Sequence, residues 1–226
     1  MTSTTLPLPP DTSFLTRWRL GLQALMVLKD ENASPEWARQ LHLSLDDRTY
    51  DQLAGRMRKT PEGARLLDER PTVPGDIGFE GLSRLPEGTL GRTFADTYQV
   101  NGIMPFTYEY PVGSDGEYLY KRYRETHDIH HLLTGYGIDA LGEVEIQAFY
   151  LGNLGLKHAG LIGVVSYPGA LFRMKGLGQV SLAEHHRRMR AAYQRGKASP
   201  NVLALDFEAY WDRPMSELTA QLAPAA

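Results

Sequence analysis

Signals that begin α-helices recur along the whole chain, and they constrain the fold more than any other feature. A capping residue, a proline and an acidic residue stand in this order at Ser34–Glu36 and again at Thr60–Glu62. Asp11–Ser13 and Ser181 precede further segments with helical periodicity, and Asp46-Asp47 is expected to begin another helix. Alternating β-branched runs flanked by turns, which are typical of strands, are missing from the sequence. The sequence therefore predicts an all-α protein.

Two long helical segments in the second half of the chain are separated by a short glycine break. They cover roughly Gly116–Thr134 and Ile138–Lys157, and Gly135–Gly137 between them favours a helix hairpin. We expect one helical-bundle domain over residues 11–226, after a disordered lead-in at residues 1–10. The other predictions are a helix at Thr93–Asn101, a glycine-interrupted helix at Leu161–Phe172, a helix from Ser181 to near Gly196, one or two helices over Val202–Leu222 divided at Pro214, loops and turns at Pro71–Gly91, and an irregular connection at Met104–Asp115.

Composition and charge exclude several classes of function. The 226 residues include 24 Lys or Arg and 27 Asp or Glu, so the chain has no basic footprint for nucleic acid. Cysteine is absent, which excludes disulfides, thiolate-zinc sites and cysteine nucleophiles. The segment Met1–Pro10 has neither the apolar core of a secretory signal nor the arginines of a transit peptide, so we expect a cytoplasmic protein. The uncharged segment Ala159–Phe172 is too short to cross a bilayer but can touch the inner face of the cell membrane.

Four side chains predict a metal centre in the helix hairpin. His127 and His131 are four residues apart, so both imidazoles lie on one face of a helix. Asp128 lies about 100° round that helix from His127 and can be a further ligand, an orienting group or a base. Glu143 returns across the glycine turn on the second helix. This donor set suits Zn²⁺, with Mn²⁺ or Fe²⁺ as alternatives. His130 is expected to face elsewhere.

Two other interpretations of these histidines remain open. They can lie on a partly exposed helix and form hydrogen bonds with their neighbours, with no ion present. The pattern is also similar to the His-Glu-x-x-His helix of zinc proteases, in which the Glu is the general base. Asp128 stands in place of that Glu and is one methylene shorter, which disfavours a protease.

At these residues the sequence resembles the Coq4 family of coenzyme Q (ubiquinone) biosynthesis proteins. The family's hallmark is His-Asp-x-x-His, eleven further residues and Glu, and positions 127, 128, 131 and 143 match it without a gap. Leu85–Gly91 is similar to the family's Pro-Glu-Gly-Thr-x-Gly segment, and Tyr210–Pro214 is similar to its C-terminal stretch. The resemblance thus extends over about residues 12 to 222.

The resemblance implies a fold, a ligand and an activity. It implies an all-helical fold with a zinc-type site, a pocket for a polyprenyl chain, and association with other quinone-biosynthesis enzymes at the membrane surface. The implied activity is that of a lyase that removes the ring carboxyl from a polyprenyl-hydroxybenzoate intermediate, with hydroxylation of the same carbon. The alternatives are a non-catalytic isoprenoid-binding scaffold and a related tailoring enzyme that acts on another natural product.

Particular residues can be given roles in such a decarboxylation. A bound cation stabilises the negative charge that develops on the ring. Arg124 or Arg122, close before the motif, can hold the carboxylate of the substrate, and Asp128 can move the proton that replaces CO₂. The glycine-rich segment Leu151–Phe172 is either a binding region for the prenyl tail or a core helix pair. His185–Arg188 is expected to be a solvated face, and a homodimer is the expected oligomeric state from base rates.

Overall fold

In the part of the chain that the structure describes, the regular secondary structure consists of helices and includes no strand. The computed structural model describes residues 8–28, 34–101, 110–172, 176–177 and 179–222. Over these ranges the chain forms a single helical domain, which confirms the predicted all-α fold class. Three 3₁₀ helices lie at Gly75–Ile77, Val202–Ala204 and Phe207–Tyr210. The α-helices are α1 (Phe14–Val27), α2 (Pro35–Met57), α3 (Pro61–Glu69), α4 (Gly78–Leu82), α5 (Leu90–Asn101), α6 (Asp115–Thr134), α7 (Ala140–Asn153), α8 (Lys157–Leu171), α9 (Leu182–Ala198) and α10 (Met215–Gln221).

Side-chain caps begin most of these helices at the predicted residues. Ser13 Oγ accepts a hydrogen bond from the backbone N–H of Thr16 and begins α1. Ser34, Thr60 and Ser181 cap α2, α3 and α9 in the same way. Such a cap satisfies one of the backbone donors that the first turn of a helix leaves free. The predicted starts of these four helices are therefore confirmed.

The helix predicted to begin at Asp46-Asp47 is wrong, because α2 continues through both residues to Met57. The carboxylate of Asp46 accepts hydrogen bonds from the backbone N–H groups of Lys157 and His158, at 2.8 and 2.9 Å. These two residues form the first turn of α8, so Asp46 caps a helix more than one hundred positions away. A capping residue in the sequence does not reveal which helix it caps.

The predicted helix over Ile138–Lys157 is wrong in its bounds, because two helices share this segment. The helix α7 ends at Asn153, and α8 begins at Lys157. Gly155 between them has a φ of +75°, a conformation that glycine adopts without steric cost.

Two other predicted segments also differ from the structure. Pro71–Gly91, predicted as loops and turns, contains α4 and a 3₁₀ helix, and Val202–Leu222 contains two 3₁₀ helices before α10.

Close contact between α7 and α9 fixes the position of α7 in the domain. A Cβ atom built on Gly196 would lie 2.2 Å from the carbonyl oxygen of Phe149, and one built on Gly152 would lie 2.2 Å from that of Tyr193. Only glycine lets the two backbones approach this closely. Of the two roles considered for the glycines of Leu151–Phe172, Gly152 on α7 thus has the one in helix packing.

Two segments predicted to be irregular are only partly described by the structure. Residues 1–7 of the predicted lead-in and residues 102–109 of the predicted connection lie outside the described residues. Leu8 is buried, and the Pro9 carbonyl accepts a hydrogen bond from Arg17. None of the described helices has both the length and the apolar character that a membrane span requires.

Candidate metal centre

Three side chains from α6 and α7 converge on one point. The Nε2 atoms of His127 and His131 lie 3.1 Å apart. The carboxylate oxygens of Glu143 lie 3.5 Å from Nε2 of His127 and 3.3 Å from Nε2 of His131. Ligands about 2 Å from a tetrahedral ion are about 3.3 Å from one another. The two imidazoles and the carboxylate therefore fit a small divalent ion.

Hydrogen bonds on the far side of each imidazole turn its Nε2 toward this point. Nδ1 of His131 lies 3.0 Å from the backbone oxygen of Tyr136. A carbonyl only accepts, so Nδ1 carries the proton and Nε2 presents its lone pair to the centre. Nδ1 of His127 lies 3.2 Å from the hydroxyl of Tyr150. Partners of this kind commonly orient the histidines that bind metals.

The turn between α6 and α7 places Glu143 opposite the histidines. Gly135 ends α6 with a φ of +74°. Asp139 then caps α7 by accepting hydrogen bonds from the backbone N–H groups of Leu141 and Gly142. A Cβ on Gly142 would lie 2.0 Å from the Gly137 carbonyl, so the turn packs directly against the first turn of α7. This compact connection puts Glu143 in that first turn, beside the end of α6.

The fourth predicted ligand, Asp128, has another partner. Its Oδ2 accepts a hydrogen bond of 2.5 Å from the hydroxyl of Tyr98 on α5. Burial and this bond raise the pKa of Tyr98 well above the usual value for tyrosine. Among the described residues, the metal-type group contains His127, His131 and Glu143 without Asp128. The structure thus brings three of the four predicted side chains together and places Asp128 beside them.

The charges within the group are strongly linked. Burial opposes ionisation of Glu143, but the hydrogen bonds and charges of His127 and His131 outweigh it and lower the pKa of the carboxyl to about 2. Burial also opposes protonation of His131, and the Glu143 carboxylate outweighs it and raises the pKa of the imidazole. A carboxylate that stays ionised this readily beside two imidazoles is electrostatically suited to a bound cation.

Tyr150 and His130 form a buried layer behind His127, and sequence reasoning missed the tyrosine. Nδ1 of His130 lies 2.9 Å from the Tyr150 hydroxyl, and both side chains are completely buried. Burial, followed by the charges of His127 and Arg122, lowers the pKa of His130 well below its usual value. Tyr150 follows Glu143 by seven residues, two helical turns, and this spacing was a signal that could have found it.

The two arginines considered for substrate binding differ in their surroundings. Arg122 is completely buried, and its guanidinium is held by the Glu208 carboxylate at 3.0 and 3.2 Å and by backbone carbonyls of the C-terminal segment. It stabilises the fold, and a role for it in holding a substrate is wrong. Arg124 is half-buried, and its charge lowers the pKa of Tyr123, although burial raises that pKa by more.

A second buried polar cluster lies between α2, α6 and α8. Nδ1 of His158 lies 2.8 Å from Oδ2 of Asp46, and Nε2 of His158 lies 3.3 Å from the Tyr123 hydroxyl. The ring of His42 stacks on that of His158 with centroids 3.8 Å apart. Burial raises the pKa of Asp46, but its bonds to His158 outweigh burial and keep the pKa below the usual value. The hydrogen bonds and ring contacts of this cluster connect the three helices.

The segment predicted as a solvated face, His185–Arg188, is only partly solvated. His185 is completely buried, and its Nε2 lies 2.9 Å from Oγ of Ser166. His186 and Arg187 are exposed, as predicted. The prediction is therefore wrong for His185, because α9 turns this residue toward α8.

Comparison with known proteins decides the family. The family model described as "Coenzyme Q (ubiquinone) biosynthesis protein Coq4" matches residues 44–224. The chain belongs to the Coq4 family. A mouse relative, "Ubiquinone biosynthesis protein COQ4 homolog, mitochondrial", is 35% identical over 178 residues, which are 77% of this chain and 65% of the mouse protein. The human relative of the same name is 34% identical over 184 residues, which cover 79% of this chain and 67% of that protein.

A solved structure has the same fold. It is a putative ubiquinone biosynthesis protein from Nostoc punctiforme PCC 73102, with a TM-score of 0.74 and 23% sequence identity. The match covers 92% of this chain and 96% of the Nostoc chain. At this identity the likeness shows a shared fold alone.

The relatives correct the predicted location. The first ten residues led to the expectation of a cytoplasmic protein at the inner face of the cell membrane. The mouse and human relatives, and one from Scheffersomyces stipitis, are all named as mitochondrial. The cytoplasmic expectation is therefore wrong.

Proposed function

We propose that this Coq4 protein is a metal-dependent enzyme that removes the ring carboxyl from a polyprenyl-hydroxybenzoate intermediate of ubiquinone synthesis. Family membership supports the pathway. The observation that carries the enzymatic part is the convergence of His127, His131 and Glu143 on one point. The ion proposed for this centre is Zn²⁺, with Mn²⁺ or Fe²⁺ as alternatives.

The number of converging ligands favours catalysis over a structural role. Structural zinc sites have four protein ligands, whereas catalytic sites commonly have three and leave one position for water or substrate. Two histidines and one glutamate form a set of the second kind. The side chain of Glu143 is 45% exposed, so the group lies where a substrate can approach it. When bound, the ion supplies Lewis-acid stabilisation of negative charge on the substrate.

The residues around the group have separate roles in this proposal. Arg124 lies three residues before His127 on α6 and holds the carboxylate or phenolate of the substrate by charge. Asp128 holds or moves a proton at its carboxylate, and the Tyr98 hydroxyl keeps that carboxylate in place. The buried Arg122 takes no part.

A second candidate function is a non-catalytic isoprenoid-binding scaffold with a structural ion. The observation that favours it is apolar exposure at the end of α8, where Leu171 is 57% and Phe172 is 75% exposed. These side chains are suited to contact with a prenyl chain or with a membrane surface as a peripheral protein. Association with other quinone-biosynthesis enzymes and a homodimeric state belong to both candidates and are likewise proposals.

One pair of variants tests the proposed function. The purified protein is analysed for bound metal and assayed with a prenylated hydroxybenzoate. We expect His131→Ala to lose both the ion and turnover, because it removes a ligand with a fixed Nε2 lone pair. His186→Ala changes an exposed histidine of α9 and should keep both. Unchanged turnover in a metal-free His131→Ala protein would show that the ion is not catalytic, and bound metal without any turnover in the wild type would favour the scaffold.

A further inference from the structure

The hydroxyl of Tyr150 lies between two imidazoles, only one of which belongs to the metal-type group. Its oxygen is 3.2 Å from Nδ1 of His127 and 2.9 Å from Nδ1 of His130. Tyr150 is completely buried on α7, and both histidines are on α6. The tyrosine thus joins a predicted ligand to a histidine that is not a ligand.

When His127 binds an ion, only one distribution of protons over His127, Tyr150 and His130 satisfies both hydrogen bonds. A histidine that coordinates through Nε2 carries its proton on Nδ1, so His127 donates to the Tyr150 oxygen. The hydroxyl has a single proton, and its remaining neighbour in the pair is Nδ1 of His130. Tyr150 must then donate to His130, which accepts at Nδ1 and carries its own proton on Nε2.

We propose that Tyr150 and His130 are positioning residues that hold Nε2 of His127 toward the ion. This inference rests on the metal centre of the proposed function and extends it by two residues outside the ligand set. His131 needs no such pair, because the Tyr136 carbonyl can only accept and fixes the tautomer of His131 alone. A hydroxyl can donate or accept, so it fixes His127 only if a second acceptor takes its proton. His130 is that acceptor.

The surroundings of His130 support this role over simple packing. Its ring is completely buried, with ring centroids 5.6 Å from Tyr150 and 5.7 Å from Phe207. A buried imidazole is costly unless its polar atoms are bonded, and an apolar side chain would pack there without that cost. Nδ1 of His130 has such a bond with the Tyr150 hydroxyl, whereas Nε2 has no hydrogen-bond partner among the described residues. Nδ1 of this buried histidine meets the hydroxyl that is bonded to His127, and the bond that it receives there explains the choice of histidine.

The proposal predicts different effects for three substitutions. Tyr150→Phe keeps the ring but removes the hydroxyl, and should weaken zinc binding about 10–100-fold, the usual loss when the partner of a ligand is removed. His130→Phe leaves the hydroxyl free to donate to His127 and stabilise the wrong tautomer, so zinc binding should weaken although no ligand is changed. His130→Asn restores an acceptor close to Nδ1 and should recover most of the affinity.

A matched control separates this effect from a general loss of stability. Tyr118 on α6 is equally buried, and its hydroxyl donates to the Pro71 carbonyl at 2.9 Å. The same hydroxyl accepts a hydrogen bond of 3.4 Å from the Arg122 guanidinium, so Tyr118→Phe removes two hydrogen bonds, as Tyr150→Phe does. It should nevertheless leave the zinc affinity within about twofold of wild type, because Tyr118 contacts no proposed ligand.

The experiment is a zinc titration of the full chain against a chelator of known affinity, combined with ¹⁵N NMR of the histidine rings in the zinc-loaded wild type. The expected results are the affinity order above and a His130 ring protonated on Nε2. Wild-type affinity in Tyr150→Phe, or a His130 proton on Nδ1, would overturn the positioning role alone. A wild-type protein that binds no zinc would overturn the metal centre and this inference together. If Tyr150→Phe does not fold, the His130 pair and the NMR spectrum of the wild type decide.

Discussion

The Asp128 carboxylate is adjacent in sequence to a proposed ligand, but it accepts its hydrogen bond from Tyr98. In the proposed site, ion binding by His127 and proton exchange by Asp128 are therefore separate roles of neighbouring side chains. The converging group contains the atoms suited to holding an ion, and Asp128 offers a carboxylate that can exchange a proton beside it. The difference between the two can be measured.

We predict that Asp128→Asn keeps the bound metal and lowers turnover by about 10²–10⁴-fold, the usual contribution of a proton-transferring group. The amide oxygen of the substituted side chain can still accept a hydrogen bond from the Tyr98 hydroxyl, so the local structure should persist. Metal content and turnover of a prenylated hydroxybenzoate are the measurements. Asp96→Asn is the control, because Asp96 on α5 pairs with Arg92 near the surface. Loss of the metal from Asp128→Asn would make Asp128 a ligand after all.

At the level of single residues, the sequence predicts what lies on one helix and misses what lies across helices. The spacing of His127 and His131 is enough to place both on one face of α6. The partner of Asp128 comes from α5, thirty residues away, and no local pattern indicates it. Tyr150 could have been found from its spacing to Glu143, but its hydrogen bond to His130 depends on how α6 and α7 pack.

At the level of helices, capping residues were informative about where a helix begins and uninformative about distant partners. Ser34 and Thr60 cap the helices that directly follow them. Asp46 has the same type of side chain but uses it on the first turn of α8. Backbone N–H groups at any helix start attract a carboxylate, so the three-dimensional fold chooses the pairing. The helix boundary at Gly155 was missed because apolar residues continue on both sides of it.

Two glycines test how closely the helices pack. Gly196→Ala should lower the free energy of unfolding by about 1–3 kcal/mol, because its Cβ would collide with the Phe149 carbonyl on α7. At Gly163 on α8, a Cβ would meet no described atom within 4 Å. Gly163→Ala should therefore be neutral or stabilise the helix by up to about 1 kcal/mol. Denaturant unfolding of both variants measures the difference, and equal effects would contradict the close α7–α9 contact.

For the whole molecule, the single-domain helical fold follows from the sequence, and the buried polar clusters do not. An all-α domain needs little more than helix starts and apolar periodicity. The pairing of His42, His158 and Asp46 requires α2 and α8 to be neighbours, and no pattern along the chain shows that. Such clusters connect the stability of the fold to pH.

Protonation of His42 should destabilise the protein in mild acid. Burial, followed by the charges of His158, Arg124 and His127, lowers the pKa of His42 well below its usual value. The folded pKa is thus below the unfolded value of about 6.5, so the stability that neutral His42 contributes is complete above that pH and is lost as the pH falls below it. The slope for one such group approaches about 1.4 kcal/mol per pH unit.

The measurement is the free energy of unfolding of metal-free protein as a function of pH, for the wild type and for His42→Phe. The difference between the two removes the contributions of the other histidines, including His131, whose raised pKa acts with the opposite sign. The variant should lose stability less steeply below about pH 6.5. Parallel curves for the two proteins would show that His42 does not stay neutral in the folded state.

The most direct test of the metal centre is anomalous X-ray diffraction at the zinc edge from crystals of the zinc-loaded protein. The account predicts one zinc ion at about 2.0–2.2 Å from Nε2 of His127, Nε2 of His131 and a carboxylate oxygen of Glu143, with a non-protein oxygen in the remaining position. An ion bound elsewhere, or one enclosed by four protein ligands, would contradict it.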